Sequence, residues 1–286
     1  MTDDLSASTI DQLLKEARPY LATARADTDP REAMTLLGHI LTLTDAQMLA
    51  RGDRPIASAD AEAFWHFIRR RVAGEPVAYL TGERGFYGRD FSVDARVLVP
   101  RPETEHLVEA ALALELPASP RIVDIGTGSG AIAVTLACER PDAEVVATDI
   151  DSDALMVART NAARHGVSDR VRFLRGDLAG PLDLSRADLV VSNPPYIGTS
   201  QKISSEVLDF EPHLALFAPG AGRGLIRRLL ASATALRPGV SLILEIGFDQ
   251  GEWLRGQAEE ASDHLELVEL IRDYGGHQRT ALLRRR

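Results

Sequence analysis

Apolar residues recur every three or four positions through the first 80 residues of the chain, which is the spacing of amphipathic helices. The spacing predicts three helices, and the third is expected to begin with Ser58 as its N-cap. The helices carry no chemical motif, so we predict that residues 1–80 form a small helical domain with a docking role. Their apolar faces are Ile10, Leu13, Leu14, Ala17 and Leu21; Ala33, Leu36, Leu37, Ile40 and Leu41; and Phe64, Phe67, Ile68 and Val72.

The pattern changes to alternation between residues 80 and 100. Apolar and polar residues alternate around glycines in the stretch GERGFYGRDFSVD, which is typical of a β-hairpin. We therefore predict a β-hairpin linker over residues 81–100. A helix is expected next, with Pro102 at its first position and Glu103 and Glu105 at the positive end of its dipole.

From residue 121 onward, apolar strands alternate with helical patterns. This alternation predicts an α/β fold in which helices cover both faces of a parallel sheet. The expected strands are RIVDIG, AEVVATDID, RVRFLRGD, ADLVVSN and GVSLILEIG. Two further strand-like runs flank Tyr274-Gly275-Gly276, which indicates an antiparallel hairpin at the edge of the sheet. We assign residues 101–286 to this second domain.

The composition is that of a globular protein: 26% of the 286 residues are charged and 45% are hydrophobic. No apolar run approaches the roughly 20 residues of a membrane span. The acidic start, MTDDLSASTI, lacks the features of a signal peptide. The single cysteine, Cys138, lies in a helical pattern and excludes an internal disulfide framework. Together these features predict a cytoplasmic protein.

The net charge of −10 argues against broad affinity for nucleic acids, because binding to phosphates needs clustered cations. Two runs of three arginines, at residues 69–71 and 284–286, are the candidates for a local basic patch. We expect both runs to be solvated, one at a helix end and one at the tail of the chain.

Four consecutive strands of the predicted sheet end in residues suited to a nucleoside. Glycines after the first strand allow a tight turn and the close approach of a ligand. Asp149 ends the second strand, where a carboxylate can accept both hydroxyls of a ribose. Capping of the next helix is the alternative role for Asp149, although Asp151 is better placed for it. The full set is Asp124, Gly126, Thr127, Gly128, Ser129 and Gly130; Asp149; Asp177; and Asn193, Pro194, Pro195 and Tyr196.

The segment after the fourth strand, Asn193–Tyr196, cannot continue the sheet. Its two adjacent prolines remove two backbone donors and fix two φ angles. The result is a stiff turn, the proline corner, that presents carbonyl oxygens and the side chains of Asn193 and Tyr196.

The motifs VDIGTGSGAIA, ATDID, RGDL and SNPPYI, in this order, resemble those of class I S-adenosylmethionine-dependent methyltransferases that modify planar nitrogens. The segments GEPVAYLTGERGFYG, LVPRPETEHLVE, DFEPHLALFAP, LEIGFDQGE and RDYGGHQR are similar to those of the HemK-type protein-glutamine methyltransferases acting on peptide chain release factors. The resemblance implies a Rossmann-like, seven-stranded sheet with one antiparallel strand. It also implies S-adenosylmethionine as cofactor and, as substrate, the glutamine in the Gly-Gly-Gln loop of release factors.

The resemblance further implies roles for single residues. The loop Gly126–Gly130, with Asp124 before it, would wrap the methionine part of the cofactor, and Asp149 would hold the ribose hydroxyls. Asp177 and Leu178 would border the adenine. Some relatives carry an aromatic residue at the position of Leu178, so the leucine would give the adenine an apolar contact in place of a stack.

The proline corner would bind the substrate amide, with Asn193 also beside the cofactor. An amide nitrogen is a poor nucleophile, because its lone pair is delocalised into the carbonyl. The Asn193 side-chain oxygen and the Pro194 carbonyl could grip the two amide hydrogens, and rigid positioning of this kind lowers a barrier. The ring of Tyr196 could pack against the flat amide. Arg101, Glu103 and Glu105 are expected either to border the active site or to act only in helix capping.

Three other functions compete with this one. A DNA adenine methyltransferase would use the same proline corner, but it needs a basic groove that this acidic chain does not display. A nicotinamide-dependent oxidoreductase would need G-x-G-x-x-G, whereas the loop in this chain is G-x-G-x-G. A noncatalytic nucleotide-binding module would explain the glycines and leave Asn193 without a role.

Overall fold

The computed structural model describes residues 8–23, 28–29, 31–261 and 263–286. The chain divides into a helical unit, Met1–Gly82 with Lys202–Phe210, and a sheet unit, Glu83–Gln201 with Glu211–Arg286. The first seven residues of the predicted helical domain lie outside the described residues. Within the described ranges, every helix is too short or too polar to cross a membrane.

Helices and strands make up most of the described chain. In chain order, the helices are α1 Ile10–Leu21, α2 Glu32–Leu41, α3 Asp45–Leu49, α4 Ser58–Val72, α5 Val77–Thr81, α6 Glu105–Leu112, α7 Ala131–Glu139, α8 Ser152–Arg164, α9 Ser205–Phe210, α10 His213–Leu216, α11 Gly224–Ser232 and α12 Gly251–Glu260. The strands are β1 Glu83–Phe86, β2 Arg89–Ser92, β3 Arg121–Ile125, β4 Glu144–Asp149, β5 Val171–Arg175, β6 Leu189–Ser192, β7 Ile197–Gly198, β8 Phe217–Ala218, β9 Ser241–Glu245, β10 Leu265–Arg272 and β11 Gln278–Arg285. Short 3₁₀ helices lie at Pro102–Thr104, Leu184–Arg186 and Ala233–Ala235.

The helical unit is held together by the apolar faces that the spacing predicts. All three predicted faces, on α1, α2 and α4, contribute to one core. Helix α1 begins with a capping box, in which Thr9 Oγ1 accepts from the Gln12 backbone N and Gln12 Oε1 accepts from the Thr9 backbone N. The predicted N-cap of α4 is wrong by one residue, because Ala57 has the extended backbone of a cap and Ser58 is already helical.

The prediction that the arginine run 69–71 is solvated is wrong for Arg71, which is buried. Its side chain is 2% exposed. The guanidinium lies 2.8 Å from Glu32 and 3.0 Å from Glu206, and it donates to the Glu75 backbone carbonyl at 3.2 Å. Three acceptors on one planar guanidinium offset the loss of its hydration. In the tail run, by contrast, Arg284 and Arg286 are exposed as expected.

The ion pair to Glu206 also bears on the domain division. Glu206 lies on α9, and the segment Lys202–Phe210 groups with the helical unit although the sequence prediction places it within residues 101–286. The hairpin of β1 and β2 groups with the sheet unit, because Phe86 and Phe91 are buried in that unit's core.

The large sheet has the order β10-β11-β9-β6-β3-β4-β5. Five neighbouring strands pair in parallel, namely β9, β6, β3, β4 and β5. Strand β11 runs antiparallel to both β9 and β10, which confirms the predicted edge hairpin. Alternate residues of each strand point to opposite faces, so Ile122 packs with α7 and α8 while Val123 packs with α11 and α12. Helices on both faces confirm the predicted α/β class.

Strand β3 is the topological switch point of the sheet. The chain moves from β3 through β4 to β5 on one side, and it then returns to place β6 on the other side of β3. Ligands of open α/β sheets bind beyond the carboxyl ends of the strands at such a point. The fold therefore gathers the segments that follow β3, β4 and β6 at one edge.

Replacing Arg71 by alanine should destabilise the helical unit by about 3 kcal/mol, because it removes the shared cationic partner of two partly buried carboxylates. Arg69→Ala, on the same helix and exposed, is the matched control and should stay within about 0.5 kcal/mol. Denaturant unfolding followed by Trp65 fluorescence in a Trp253→Phe background would measure both. Equal effects of the two variants would contradict the assignment.

Candidate active site

A cavity opens at the carboxyl ends of β3, β4 and β6. The cavity brings together most of the residues that were predicted from the ends of the strands. Four of the predicted residues do not line the cavity: Asp124, Gly130, Pro194 and Tyr196. The predicted residues that line it are Gly126, Thr127, Gly128, Ser129, Asp149, Asp177, Leu178, Asn193 and Pro195.

The glycine loop after β3 is tied to the end of β4. The backbone N–H groups of Gly126 and Thr127 both donate to the Thr148 carbonyl at 2.8 Å. Gly126 and Gly128 have φ of +76° and +54°, and a Cβ added to either would meet no atom within 4 Å. A Cβ on Gly130 would lie 3.1 Å from the Ala158 Cβ. The first two glycines therefore leave open space beside the loop, whereas Gly130 permits close packing of α7 against α8.

Asp124 lies buried beneath this loop. Its Oδ2 accepts a hydrogen bond from Thr127 Oγ1 at 2.6 Å, and its Oδ1 has no partner among the described residues. Burial raises the pKa of Asp124 to about 7, and the nearby Asp149 carboxylate acts in the same direction. The hydrogen bond from Thr127 opposes this rise.

Asp149 faces the cavity from the end of β4. Its Oδ2 accepts from the Gly128 backbone N at 2.9 Å, and its Oδ1 accepts from the Asp151 backbone N at 3.0 Å. Burial raises the pKa of Asp149 and these hydrogen bonds oppose the rise. The capping role falls to Asp151, whose Oδ1 accepts from the Asp153 backbone N at 2.8 Å. Asp149 therefore lines the cavity and does not cap α8.

Asp177 and Leu178 follow β5 and close another side of the cavity. The Asp177 side chain is 54% exposed and pairs with Arg228 of α11 at 2.7 Å. Leu178 has a φ of +49°, and its carbonyl accepts from Thr148 Oγ1 at 3.1 Å. That bond fixes the turn after β5 against the end of β4.

The proline corner is anchored by residues that lack a role in the sequence prediction. Asn193 Nδ2 donates to Thr104 Oγ1 at 3.2 Å, and Thr104 Oγ1 donates to Glu245 Oε2 at 2.6 Å. Tyr196 donates from its hydroxyl to Glu245 Oε1 at 3.1 Å. Its carbonyl accepts from Gln250 Nε2 at 2.9 Å. The hydroxyl end of Tyr196 is thus held by a buried carboxylate, and burial raises the pKa of its phenol.

Of Arg101, Glu103 and Glu105, Arg101 lines the cavity. Its guanidinium pairs with Glu211, whose side chain is 1% exposed and also accepts from the Val99 backbone N at 3.1 Å. Glu105 accepts instead from the Tyr87 backbone N at 2.9 Å and so supports the turn between β1 and β2. Glu245 and Glu211 lie in the quoted motifs LEIGFDQGE and DFEPHLALFAP, and their position within those motifs was the available signal.

The buried Asp124 carboxyl links stability to pH. Its pKa is 3.8 when unperturbed and about 7 in the folded chain. Between these values the folded state keeps a proton that the unfolded state has released, so the contribution of Asp124 to the free energy of unfolding falls as pH rises, by at most about 1.4 kcal/mol per pH unit. Asp124→Asn cannot titrate. The stability difference, variant minus wild type, should therefore increase from about pH 4 to about pH 7 and level off above it. Urea unfolding across that range would measure it, and a constant difference would contradict the assignment.

Two models of known protein families match separate parts of the chain. Residues 12–82 match the model of the PrmC N-terminal domain, and residues 104–210 match that of the methyltransferase small domain. A solved structure of a methyltransferase from Pyrococcus furiosus shares the fold, with a TM-score of 0.52 at 20% identity over 77% of this chain and 98% of that chain.

Two curated relatives are similar over nearly the whole chain. The release factor glutamine methyltransferase of Nitratidesulfovibrio vulgaris is 42% identical over 98% of this chain and 96% of its own. That of Neisseria gonorrhoeae is 46% identical over 88% of this chain and 92% of its own. At this identity and coverage, and with a proline corner beside a glycine-loop cavity on the same sheet edge, the chain belongs to the family of release factor glutamine methyltransferases.

Proposed function

We propose that this chain transfers a methyl group from S-adenosylmethionine to the side-chain amide nitrogen of the glutamine in the Gly-Gly-Gln loop of peptide chain release factors, in support of translation termination. The observation that carries the proposal is the lining of the cavity by both the glycine loop and Asn193 of the proline corner. A cofactor site and an amide-holding group thus share one space. The similarity to release factor glutamine methyltransferases supports the choice of substrate.

The residues around the cavity fit this cofactor. Open space beside Gly126 and Gly128 leaves room for a ligand to approach the loop backbone. In our proposal Asp124 and the loop Gly126–Gly130 hold the methionine part. The Asp149 carboxylate, with one hydrogen bond on each oxygen, keeps lone pairs for the ribose hydroxyls. Asp177 and Leu178 border the adenine. The cofactor supplies a methyl group already activated on a positively charged sulfur, so no strong base is needed before transfer.

The proline corner holds the substrate in this proposal. Asn193 donates its Nδ2 to Thr104, which directs Oδ1 away from Thr104 as an acceptor for one hydrogen of the substrate amide. The Pro194 carbonyl accepts the other hydrogen, and Pro194 and Pro195 keep that carbonyl rigid. The packing of the Tyr196 ring against the flat amide stays a prediction, since Tyr196 packs with the core that includes α11 and α12 and is not among the residues that line the cavity. Aligning the nitrogen in this way is the contribution that positioning makes to the barrier.

The proton balance requires no general base. The substrate nitrogen forms a bond to the methyl carbon while the carbon–sulfur bond breaks and its electron pair stays on sulfur. The methylated nitrogen then loses a proton to water. We assign that step to solvent, because Asn193 and the Pro194 carbonyl can accept hydrogen bonds but cannot take up the proton at neutral pH.

Incubating the full chain with methyl-labelled cofactor and purified release factor tests the function. We expect label on the release factor, and mass spectrometry should place it on the glutamine of the Gly-Gly-Gln loop. Duplex DNA in a parallel reaction should stay unlabelled, in keeping with the net charge of −10. Labelled adenine with an unlabelled release factor would instead identify a DNA adenine methyltransferase.

Asn193→Ala should reduce methyl transfer by roughly 5- to 150-fold under single-turnover conditions, since one hydrogen bond in a dry site is lost. Asn193→Asp keeps an acceptor oxygen of nearly the same shape but adds a charge, and it should retain cofactor affinity while losing most transfer. Cofactor affinity is measured by calorimetry. Asp149→Ala is expected to weaken cofactor binding and is the positive control for a loss of affinity in that measurement. Wild-type rates in both Asn193 variants would remove Asn193 from the mechanism.

We also propose that the protein acts in the cytoplasm, in keeping with its single cysteine.

We further propose that the helical unit docks the release factor. The sequence contains two lysines, Lys15 and Lys202, and both group with the helical unit. An amine-reactive crosslinker therefore reports on this unit together with the N-terminal amine. Crosslinks from either lysine to release factor should form in the complex, and their absence while methylation proceeds would contradict the docking role.

A further inference from the structure

A buried carboxylate lies behind the proline corner. Glu245 ends β9, the strand that pairs in parallel with β6, and the corner follows β6 directly. The Glu245 side chain is buried, and each of its two oxygens accepts one hydroxyl, from Thr104 and from Tyr196. Thr104 comes from the 3₁₀ helix Pro102–Thr104 and is itself buried. The two ends of the corner thus meet on a single carboxylate.

The hydrogen-bond inventory of these groups fixes their donors and acceptors. An ionised carboxylate can only accept, and a threonine hydroxyl has one hydrogen. The 2.6 Å separation of Thr104 Oγ1 from Glu245 Oε2 is typical of a hydroxyl donating to a charged carboxylate. The hydroxyl hydrogen of Thr104 is therefore committed to Glu245. Toward Asn193 the Thr104 oxygen can then only accept, through a lone pair, and the donor it finds is Asn193 Nδ2.

We propose that Glu245, acting through Thr104, sets the orientation of the Asn193 side-chain amide. The two faces of an asparagine amide have nearly the same shape, so packing alone does not distinguish them. The Thr104 lone pair does, because it accepts from nitrogen and repels oxygen. Thr104 and Glu245 are positioning residues in this scheme, because they act through Asn193, although Thr104 also lines the cavity.

The orientation decides what the site accepts. With Nδ2 on Thr104, Asn193 presents an acceptor, and an acceptor suits the N–H of a glutamine amide. The reversed amide would present a donor, which suits a carbonyl or a carboxylate oxygen. We call the hydrogen bonds from Asn193 through Thr104 to Glu245 the relay. The relay therefore favours the amide nitrogen over oxygen as the atom that receives the methyl group. This inference rests on the proposed function and adds to it the device by which nitrogen is selected.

Burial is the largest influence on Glu245, and the pKa of its carboxyl group lies above the ordinary value. Burial raises the pKa of Glu245, and the hydroxyls of Thr104 and Tyr196 and the positive charge of Arg279 oppose that rise. Glu103 acts in the same direction as burial. The proposal rests on the geometry, in which one hydroxyl lies within hydrogen-bond distance of each oxygen of Glu245.

Two opposite substitutions at Thr104 test the relay. Thr104→Val keeps the shape and removes the hydroxyl, and it should lower the single-turnover rate at saturating release factor by roughly 5- to 150-fold. Thr104→Ser keeps the hydroxyl and removes the methyl group, and it should restore most of that rate. A packing role predicts the reverse order, because valine would preserve the packing and serine would not. KM for release factor and the calorimetric affinity for the cofactor should change little in either variant.

Thr280→Val is the matched control. Thr280 pairs with Glu245 in the β11–β9 register, it is buried, and its hydroxyl has no partner among the described residues. The same substitution there should leave the rate near that of the wild type. Thr104→Ala removes the hydroxyl without valine's added methyl group and should show the same loss, so a folding defect peculiar to valine does not decide the result.

The outcomes separate the relay from the function on which it rests. A valine variant at the wild-type rate, or a serine variant as slow as valine, overturns the relay while methylation of the release factor by the wild type upholds the function. A wild-type protein that leaves the release factor unmethylated overturns both. Loss in valine and alanine, recovery in serine and no change in Thr280→Val supports the relay.

Discussion

The parallel pairing of β3 with β4 on one side and β6 on the other is the constraint on which the site depends. The register places Ile125 beside both Thr148 and Ser192, so the residues that follow the three strands emerge side by side. Hydrogen bonds then lock the strand ends together. Thr148 accepts two backbone donors from the glycine loop, and the Ser192 hydroxyl donates to the Ile125 carbonyl at 2.6 Å. A shift of one residue in either pairing would turn the chain after the strand to the opposite face.

The same edge carries two buried carboxyl groups, and the structure treats them differently. Removing a carboxylate from water costs several kcal/mol unless donors replace the lost hydration. Glu245 receives two hydroxyl donors, one on each oxygen. Asp124 receives one hydroxyl donor, from Thr127, and burial raises its pKa to about 7. Glu245 supports the proline corner, and Asp124 lies under the loop proposed to meet a positively charged cofactor.

The sequence predicts what depends on local spacing. The strands of the large sheet, the two hairpins and the apolar helical faces follow from periodicity and from turn chemistry within a few positions, whereas the short pair of β7 and β8 does not. What the sequence leaves open are contacts between distant segments. Thr104 and Glu245 are 141 residues apart, Asn193 and Thr104 are 89 apart, and Arg71 meets a glutamate on α9. A carboxylate that follows an apolar strand has no local signal that says whether it faces solvent, a ligand or a hydroxyl. Arg71 shows the same limit, since a run of arginines looks solvated until its acceptors are known.

Rigidity in the proline corner comes from two devices that act on different atoms. Proline rings fix φ and therefore hold the backbone carbonyl of Pro194, but they place no restraint on the side-chain torsions of Asn193. The side-chain oxygen needs a second restraint, and a hydrogen bond to Thr104 Oγ1 is the one present. A site that grips two hydrogens of one planar amide requires both acceptors to be fixed relative to each other, because an error in either angle misdirects the nitrogen lone pair. This requirement gives the buried carboxylate of Glu245 a role behind a turn that two prolines already stiffen.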